Sequence, residues 1–159
     1  MKILITGGNN AKALKLLKAF PNHFVLLGDY GDVPAILTEN YGFASFGNLN
    51  KDSIAHIFLN FCITESIDCI IPLKAFELEP MAKSYVLFDE YNIQVLLPPA
   101  DILSNFLPEE QQSFSDFAVF INGTCIYSTG IVPEQLKNQP LNGIFGYNQT
   151  SNELKLFTI

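Results

Sequence analysis

Arginine and tryptophan are absent from this 159-residue chain, cysteine occurs three times without a CxxC pair, and no apolar run reaches the roughly 18 residues of a membrane-spanning helix. Each shortage excludes something. Without Arg, no site can grip a phosphate or carboxylate through two parallel guanidinium hydrogen bonds, so anion binding falls to nine Lys side chains or to backbone N–H groups. A formal charge of -7 argues against nucleic acid as a partner, because affinity for it comes largely from cations that displace counterions from phosphates. Cys62, Cys69 and Cys125 form an odd set with no charged-then-apolar leader before them, so a reduced, cytoplasmic setting is expected. His23 and His56 stand apart from any Cys, His or carboxylate at metal-ligand spacing, and no metal site is expected.

What is present describes a globular chain. Hydrophobic residues make up 48%, and the 14 Phe and 6 Tyr supply enough apolar area for a sizeable core. "KILIT" reads as a short β-branched strand, and Ala13, Leu16, Leu17 and Phe20 follow at helical spacing. "HFVLLGDY" reads as a second buried strand ending at Asp29, and "YGFASFGN" as a shorter third. Asn50 to Asp52 offer helix caps ahead of Ile54, Ile57, Phe58 and Phe61. "IDCIIPL" lacks alternation, as a strand covered on both faces should. Leu78, Met81, Ala82, Tyr85 and Phe88 mark a further helix, with Pro80 expected near its first turn, and "IQVLLPP" closes the series as a strand.

Beyond a short helix expected near Asp101, the pattern changes to strands alone. "FAVFINGTCIYS" is a hairpin signal, since Asn122-Gly123 suits the two positive-φ positions of a type I′ turn. "GIFGYNQTSNELKLFTI" reads as a second hairpin with a longer loop. Exposed edges of such strands need cover or a partner.

Two clusters carry candidate chemistry. Gly7, Gly8, Asn9 and Asn10 lie between a strand and a helix, where a glycine turn can offer N–H groups to a small anion or can simply turn the chain. The spaced glycines of a dinucleotide loop are missing, and no G-K-[ST] follows, which excludes a P-loop. Asp29, 21 residues after Gly8, stands roughly where an acid would hold ribose hydroxyls, so an NAD(P)-binding oxidoreductase or epimerase-like protein remains a rival reading. None of the six Tyr residues has Lys four positions later, against the extended short-chain reductase pattern. The second cluster is "IIPLKAFELEPMA": Lys74 and Glu77 follow a strand end, on the rim where ligands of open α/β sheets collect, and could hold an amino acid or similar zwitterion.

"MKILITGGNNAKALKLLKAF", "VLLGDY", "IDCIIPLKAFELEPMA" and "IQVLLPPADIL", in that order and spacing, resemble the pre-ATP-grasp domain that precedes the ATP-binding part of carbamoyl-phosphate synthetase-like ligases. The resemblance covers residues 1 to about 107. It implies a Rossmann-like domain on the substrate side of a ligase cleft, with Gly7, Gly8 and Asn9 as the loop near that cleft and Glu77 as the acid after the fourth strand. ATP and magnesium belong mainly to a large following domain in such ligases, whereas residues 108–159 here are strand-rich. No ATP or metal ligand carries over.

The expected architecture is therefore an α/β fold: a Rossmann-like, doubly wound, mostly parallel sheet over residues 1–110, then a small antiparallel β-meander over 111–159 that packs on it or mediates association. The expected function is a non-catalytic substrate-side or accessory domain of an ATP-grasp-type ligase system. Its expected anion or substrate residues are Gly7, Gly8, Asn9, Asn10, Asp29, Lys74 and Glu77. No cofactor is expected on the chain itself, with ATP and Mg entering only through a partner. That partner is an ATP-grasp ligase subunit or a second copy joined through the C-terminal strands, with no nucleic acid and no membrane. A purely structural or regulatory homodimer is the remaining alternative.

Overall fold

The computed structural model describes residues 1–109, 112–134, 139–150 and 153–159. These form two compact units, Met1–Val95 with Ile159, and Leu96–Thr158. The boundary expected between residues 110 and 111 lies outside the described residues.

The first unit is built on five parallel strands: β1 (Lys2–Thr6), β2 (Phe24–Asp29), β3 (Tyr41–Ser45), β4 (Cys69–Ile71) and β5 (Gln94–Val95), in the order β3-β2-β1-β4-β5. Ile3, Leu4 and Ile5 are fully buried, so both faces of β1 are covered, which explains the unbroken apolar run. The expected α/β architecture with a parallel, Rossmann-like sheet is what the chain adopts.

Helix α1 (Ala11–Lys15) continues as a 3-10 turn over Leu16–Ala19 and joins β1 to β2; α2 (Ile54–Thr64) joins β3 to β4; α3 (Ala75–Lys83) and α4 (Tyr85–Asp89) join β4 to β5. Right-handed crossovers from a strand order that reverses at β1 put α1 on one face and α2, α3 and α4 on the other. No helix joins β2 to β3; that connection instead forms an antiparallel bridge between Leu37 and Gly42. The second face carries an aromatic cluster: Phe46 lies 4.9 Å from Phe58 and 5.0 Å from Phe61, centroid to centroid. A side chain at position 28 would run into the Phe46 ring, which is why glycine stands there in mid-strand.

Several expectations are displaced in detail. Pro80 is the sixth residue of α3 counted from Ala75, past the turn in which proline costs nothing. It withholds one ladder hydrogen bond, and the helix gives out at Ser84, whose hydroxyl donates to the Pro80 carbonyl at 2.8 Å. The strand expected over "IQVLLPP" pairs only through Gln94 and Val95, although Leu96 and Leu97 remain buried. The helix expected near Asp101 is a 3-10 turn, Leu103–Phe106, because Pro99 and Pro108 leave too short a span to propagate an α-helix.

The second unit is a four-stranded antiparallel sheet of β6 (Asp116–Ile121), β7 (Thr124–Ser128), β8 (Gly143–Tyr147) and β9 (Lys155–Leu156). Asn122 (φ 51°) and Gly123 (φ 79°) turn β6 into β7 as a type I′ pair. The strand order is β7-β6-β8-β9, so β8 returns to β6 and gives it neighbours on both sides. Phe120, Phe145 and Tyr147 are fully buried in this unit, with Phe106 at 5.3 Å from Phe145. Residues 151 and 152, in the loop of the second expected hairpin, lie outside the described residues. Among the described residues no helix is long and apolar enough to cross a membrane.

Phe58 has no exposed surface, stacks on Tyr30 and packs against a tilted Phe46 ring. Phe58→Ala should lower the unfolding free energy by about 3–5 kcal/mol in urea titration. A loss below about 1 kcal/mol, the average for any substitution, would show that the aromatic cluster is not the core of this face.

Candidate functional site

The strand order reverses between β1 and β4, and their carboxyl ends therefore diverge into a crevice. The glycine pair sits on its lip. Gly7 adopts φ 73°, and a side chain there would collide with the Ile159 side chain. Gly8 lies so close to β2 that a Cβ would stand 2.8 Å from the Leu27 carbonyl carbon, and its N–H donates to the Gly28 carbonyl at 2.9 Å. One glycine thus serves the turn and the other the close approach.

The loop N–H groups that follow are spent inside the protein. Asn9 N–H donates to Asp29 Oδ2 at 3.0 Å, and Asn10 N–H donates to the Gly7 carbonyl at 2.9 Å. Asn10 Oδ1 accepts from Lys12 N–H at 2.9 Å and caps α1, a helix of five residues. Asn9 Nδ2 donates to the Asp32 carbonyl at 3.0 Å. The chain's own carboxylate, Asp29, therefore stands where an anion would meet the loop.

Asp29 is the last residue of β2 and only 5% exposed. Its Oδ1 accepts from Tyr30 N–H at 2.8 Å and from the Lys74 ammonium at 2.8 Å. Burial pulls its pKa upward, but the Lys74 hydrogen bond and the N–H groups of Asn9 and Tyr30 outweigh that and hold it below the ordinary Asp value. Lys74, the residue preceding α3, also places its ammonium 5.0 Å from the centre of the Tyr30 ring.

Glu77 is turned the other way. It is fully buried at the third position of α3, where its Oε2 accepts from Thr6 Oγ1 at 2.5 Å and from Lys74 N–H at 3.3 Å, while Oε1 accepts from the Tyr30 hydroxyl at 2.9 Å. Thr6 Oγ1 in turn accepts from Leu73 N–H at 2.8 Å. Burial dominates these donors and pushes the Glu77 pKa above the ordinary Glu value. The same burial, reinforced by the Glu77 charge, pushes the Tyr30 phenol far up.

In front of this network lies a cavity of about 440 Å3, within the range of small-molecule sites. Asn9, Asn10 and Asp29 line one part, Lys74, Ala75 and Phe76 another, together with Ile159, whose N–H donates to the Leu73 carbonyl at 3.1 Å. Of the residues singled out from sequence, Asn9, Asn10, Asp29 and Lys74 meet in the cavity; Gly7 and Gly8 shape its lip; Glu77 lies behind it. Sequence reasoning misses Thr6, Tyr30, Phe76 and Ile159. Thr6 has a signal, since a lone hydroxyl ending a buried apolar strand needs a partner. Ile159 has none.

Two of the three thiols are inert. Burial pushes the Cys62 and Cys69 thiols up to about 12, so both stay protonated in the core. Among the described residues no group of three or more His, Cys, Asp or Glu side chains gathers as a metal site.

Glu77 holds its proton more tightly folded than unfolded. Its stabilisation is therefore full below about pH 4, the ordinary carboxyl value, and is lost as pH rises through the folded pKa. Asp29 has the opposite sign, its contribution vanishing as pH falls through its depressed folded pKa. Glu77→Gln keeps one acceptor for Thr6 and Lys74 N–H, supplies an amide donor to the Tyr30 oxygen, and cannot titrate. The stability of the Glu77→Gln variant relative to the parent should grow as pH rises from about 4, read by urea unfolding at several pH values. A difference that stays flat with pH would remove Glu77 as its source.

Comparison with protein-family models finds no match for the chain, and comparison with curated proteins finds none at significance.

Proposed function

We propose that this chain is a small-ligand-binding module of the pre-ATP-grasp kind, the substrate-side or accessory part of an ATP-dependent ligase system whose ATP site and catalytic groups reside on a partner. One observation carries this reading: Asn9 N–H is given to Asp29 instead of facing the cavity, so the glycine loop has no free cradle for a nucleotide phosphate. The cavity beside it still offers a cation, a carboxylate, two amides and an aromatic ring at the rim where α/β sheets take ligands. Without Arg, multiply charged phosphates find little there to hold them.

The rival is a dinucleotide-binding oxidoreductase or epimerase-like protein, favoured by Asp29 at the end of β2 in this strand order. Asp29 already accepts three hydrogen bonds, which leaves little capacity for two ribose hydroxyls. The partner in the proposed system is an ATP-grasp subunit, with a second copy of this chain as the alternative.

Thermal unfolding of the chain with ATP, NAD(H), NADP(H) and a set of small amino and carboxylic acids decides between these readings. A ligand at 100 times its Kd adds about 2.7 kcal/mol of stability. Small acids should raise the melting temperature and nucleotides should not, and capture from native lysate should recover an ATP-grasp protein. A rise with NAD(H) that disappears in Asp29→Ala would install the oxidoreductase reading, and ATP turnover by the purified chain would overturn the module reading.

A further inference from the structure

The hydrogen-bond capacity left open in the cavity is narrow enough to define a ligand class. Lys74 has three N–H donors and spends one on Asp29 Oδ1 at 2.8 Å; its side chain is 26% exposed. Asp29 Oδ1 is filled by Lys74 and Tyr30 N–H, whereas Oδ2 takes only Asn9 N–H, which leaves one acceptor direction. One cation with donors to spare thus stands beside one carboxylate oxygen with a single vacancy. Among the described residues, theirs are the only charged side chains lining the cavity, one of each sign. Glu77 does not reach the cavity, being buried behind Thr6 and Tyr30. The rest of the lining is apolar or amide: Ala75, Ile159 and Phe76 with Asn9 and Asn10. Lys51 stands over the Phe76 ring at 4.8 Å and is not part of the lining.

We infer that the cavity selects a zwitterion of the α-amino-acid type with an apolar side chain, its carboxylate on the Lys74 ammonium, its ammonium on Asp29 Oδ2, and its side chain across Phe76. The inference deepens the small-ligand reading above and rests on it. A lone anion on Lys74 would also face the Asp29 carboxylate, a lone cation on Asp29 would also face the Lys74 ammonium, and either would leave one charge of this part-buried pair worse off than in the empty cavity. A zwitterion extends the pair without adding net charge. A basic side chain would lay a second cation beside Lys51 over Phe76, and an acidic one would find, among the described lining residues, no cation beyond the Lys74 already taken by its own α-carboxylate.

Isothermal titration of the whole chain with phenylalanine, leucine, glutamate, lysine, 3-phenylpropionate and phenethylamine tests the class from the ligand side, with no folding risk. Phenylalanine and leucine should bind, and deleting either charge of phenylalanine should weaken binding by about tenfold or more, as for one charged hydrogen bond. Lys74→Met should abolish the preference for the carboxylate-bearing ligand, and Phe76→Leu should weaken phenylalanine more than leucine. If 3-phenylpropionate or phenethylamine binds as tightly as phenylalanine, the zwitterion inference falls and the small-ligand cavity stands; if glutamate or lysine does, the selection for an apolar side chain falls. If none of the six binds, both fall.

Discussion

The buried carboxylate of Glu77 is the point from which the architecture around the crevice hangs. Three donors from three segments converge on it: the Thr6 hydroxyl at the end of β1, the Tyr30 hydroxyl just beyond β2, and the N–H of Lys74 before α3. Thr6 passes the connection on to Leu73. A buried acid is costly to desolvate, and it is tolerated here because three donors are aimed at its two oxygens. What it returns is positional: the three strand ends that form the crevice cannot drift apart without stranding a donor. Removing the side chain would cost about 2–4 kcal/mol, chiefly through those stranded partners.

Asp29 and Glu77 show one residue chemistry set to two tasks by environment. Asp29 has a cation in contact and stays ionised; Glu77 has only neutral donors and its charge is disfavoured. The two are joined through Tyr30, whose N–H serves Asp29 and whose hydroxyl serves Glu77, and through Lys74, whose ammonium serves the first and whose backbone serves the second. The cavity's polar face is thereby cross-linked by hydrogen bonds before any ligand arrives, and such pre-ordering lowers the entropy that binding must overcome. The glycine loop belongs to the same scheme, for its anion position is satisfied from within by Asp29.

Much of the fold was legible because its signals are local. "KILIT" and "IDCII" read as buried parallel strands from apolar continuity alone, and Asn122-Gly123 fixed a turn that only positive φ permits. The missing helix between β2 and β3 and the single 3-10 turn near Asp101 depend on competition between short segments, where proline and chain length decide and periodicity does not. For the site, Asn9, Asn10, Asp29 and Lys74 could be placed on one rim by topology. The direction of Glu77 could not, because spacing along α3 puts it at the helix start without saying whether it turns outward or toward Thr6. Phe76 and Ile159 required coordinates outright, since contacts between residues far apart in the chain leave no trace in local pattern.

One irregularity in the second sheet has a bearing on what its outer strand can pair with. Register shifts between Val119 and Phe120, so Ile126 on β7 has no counterpart on β6 and the outer strand is kinked. A straight neighbouring strand laid along β7 would match its N–H and C=O groups on one side of Ile126 and miss them on the other. That mismatch works against open-ended strand stacking along "TCIYS", which lies at a sheet margin.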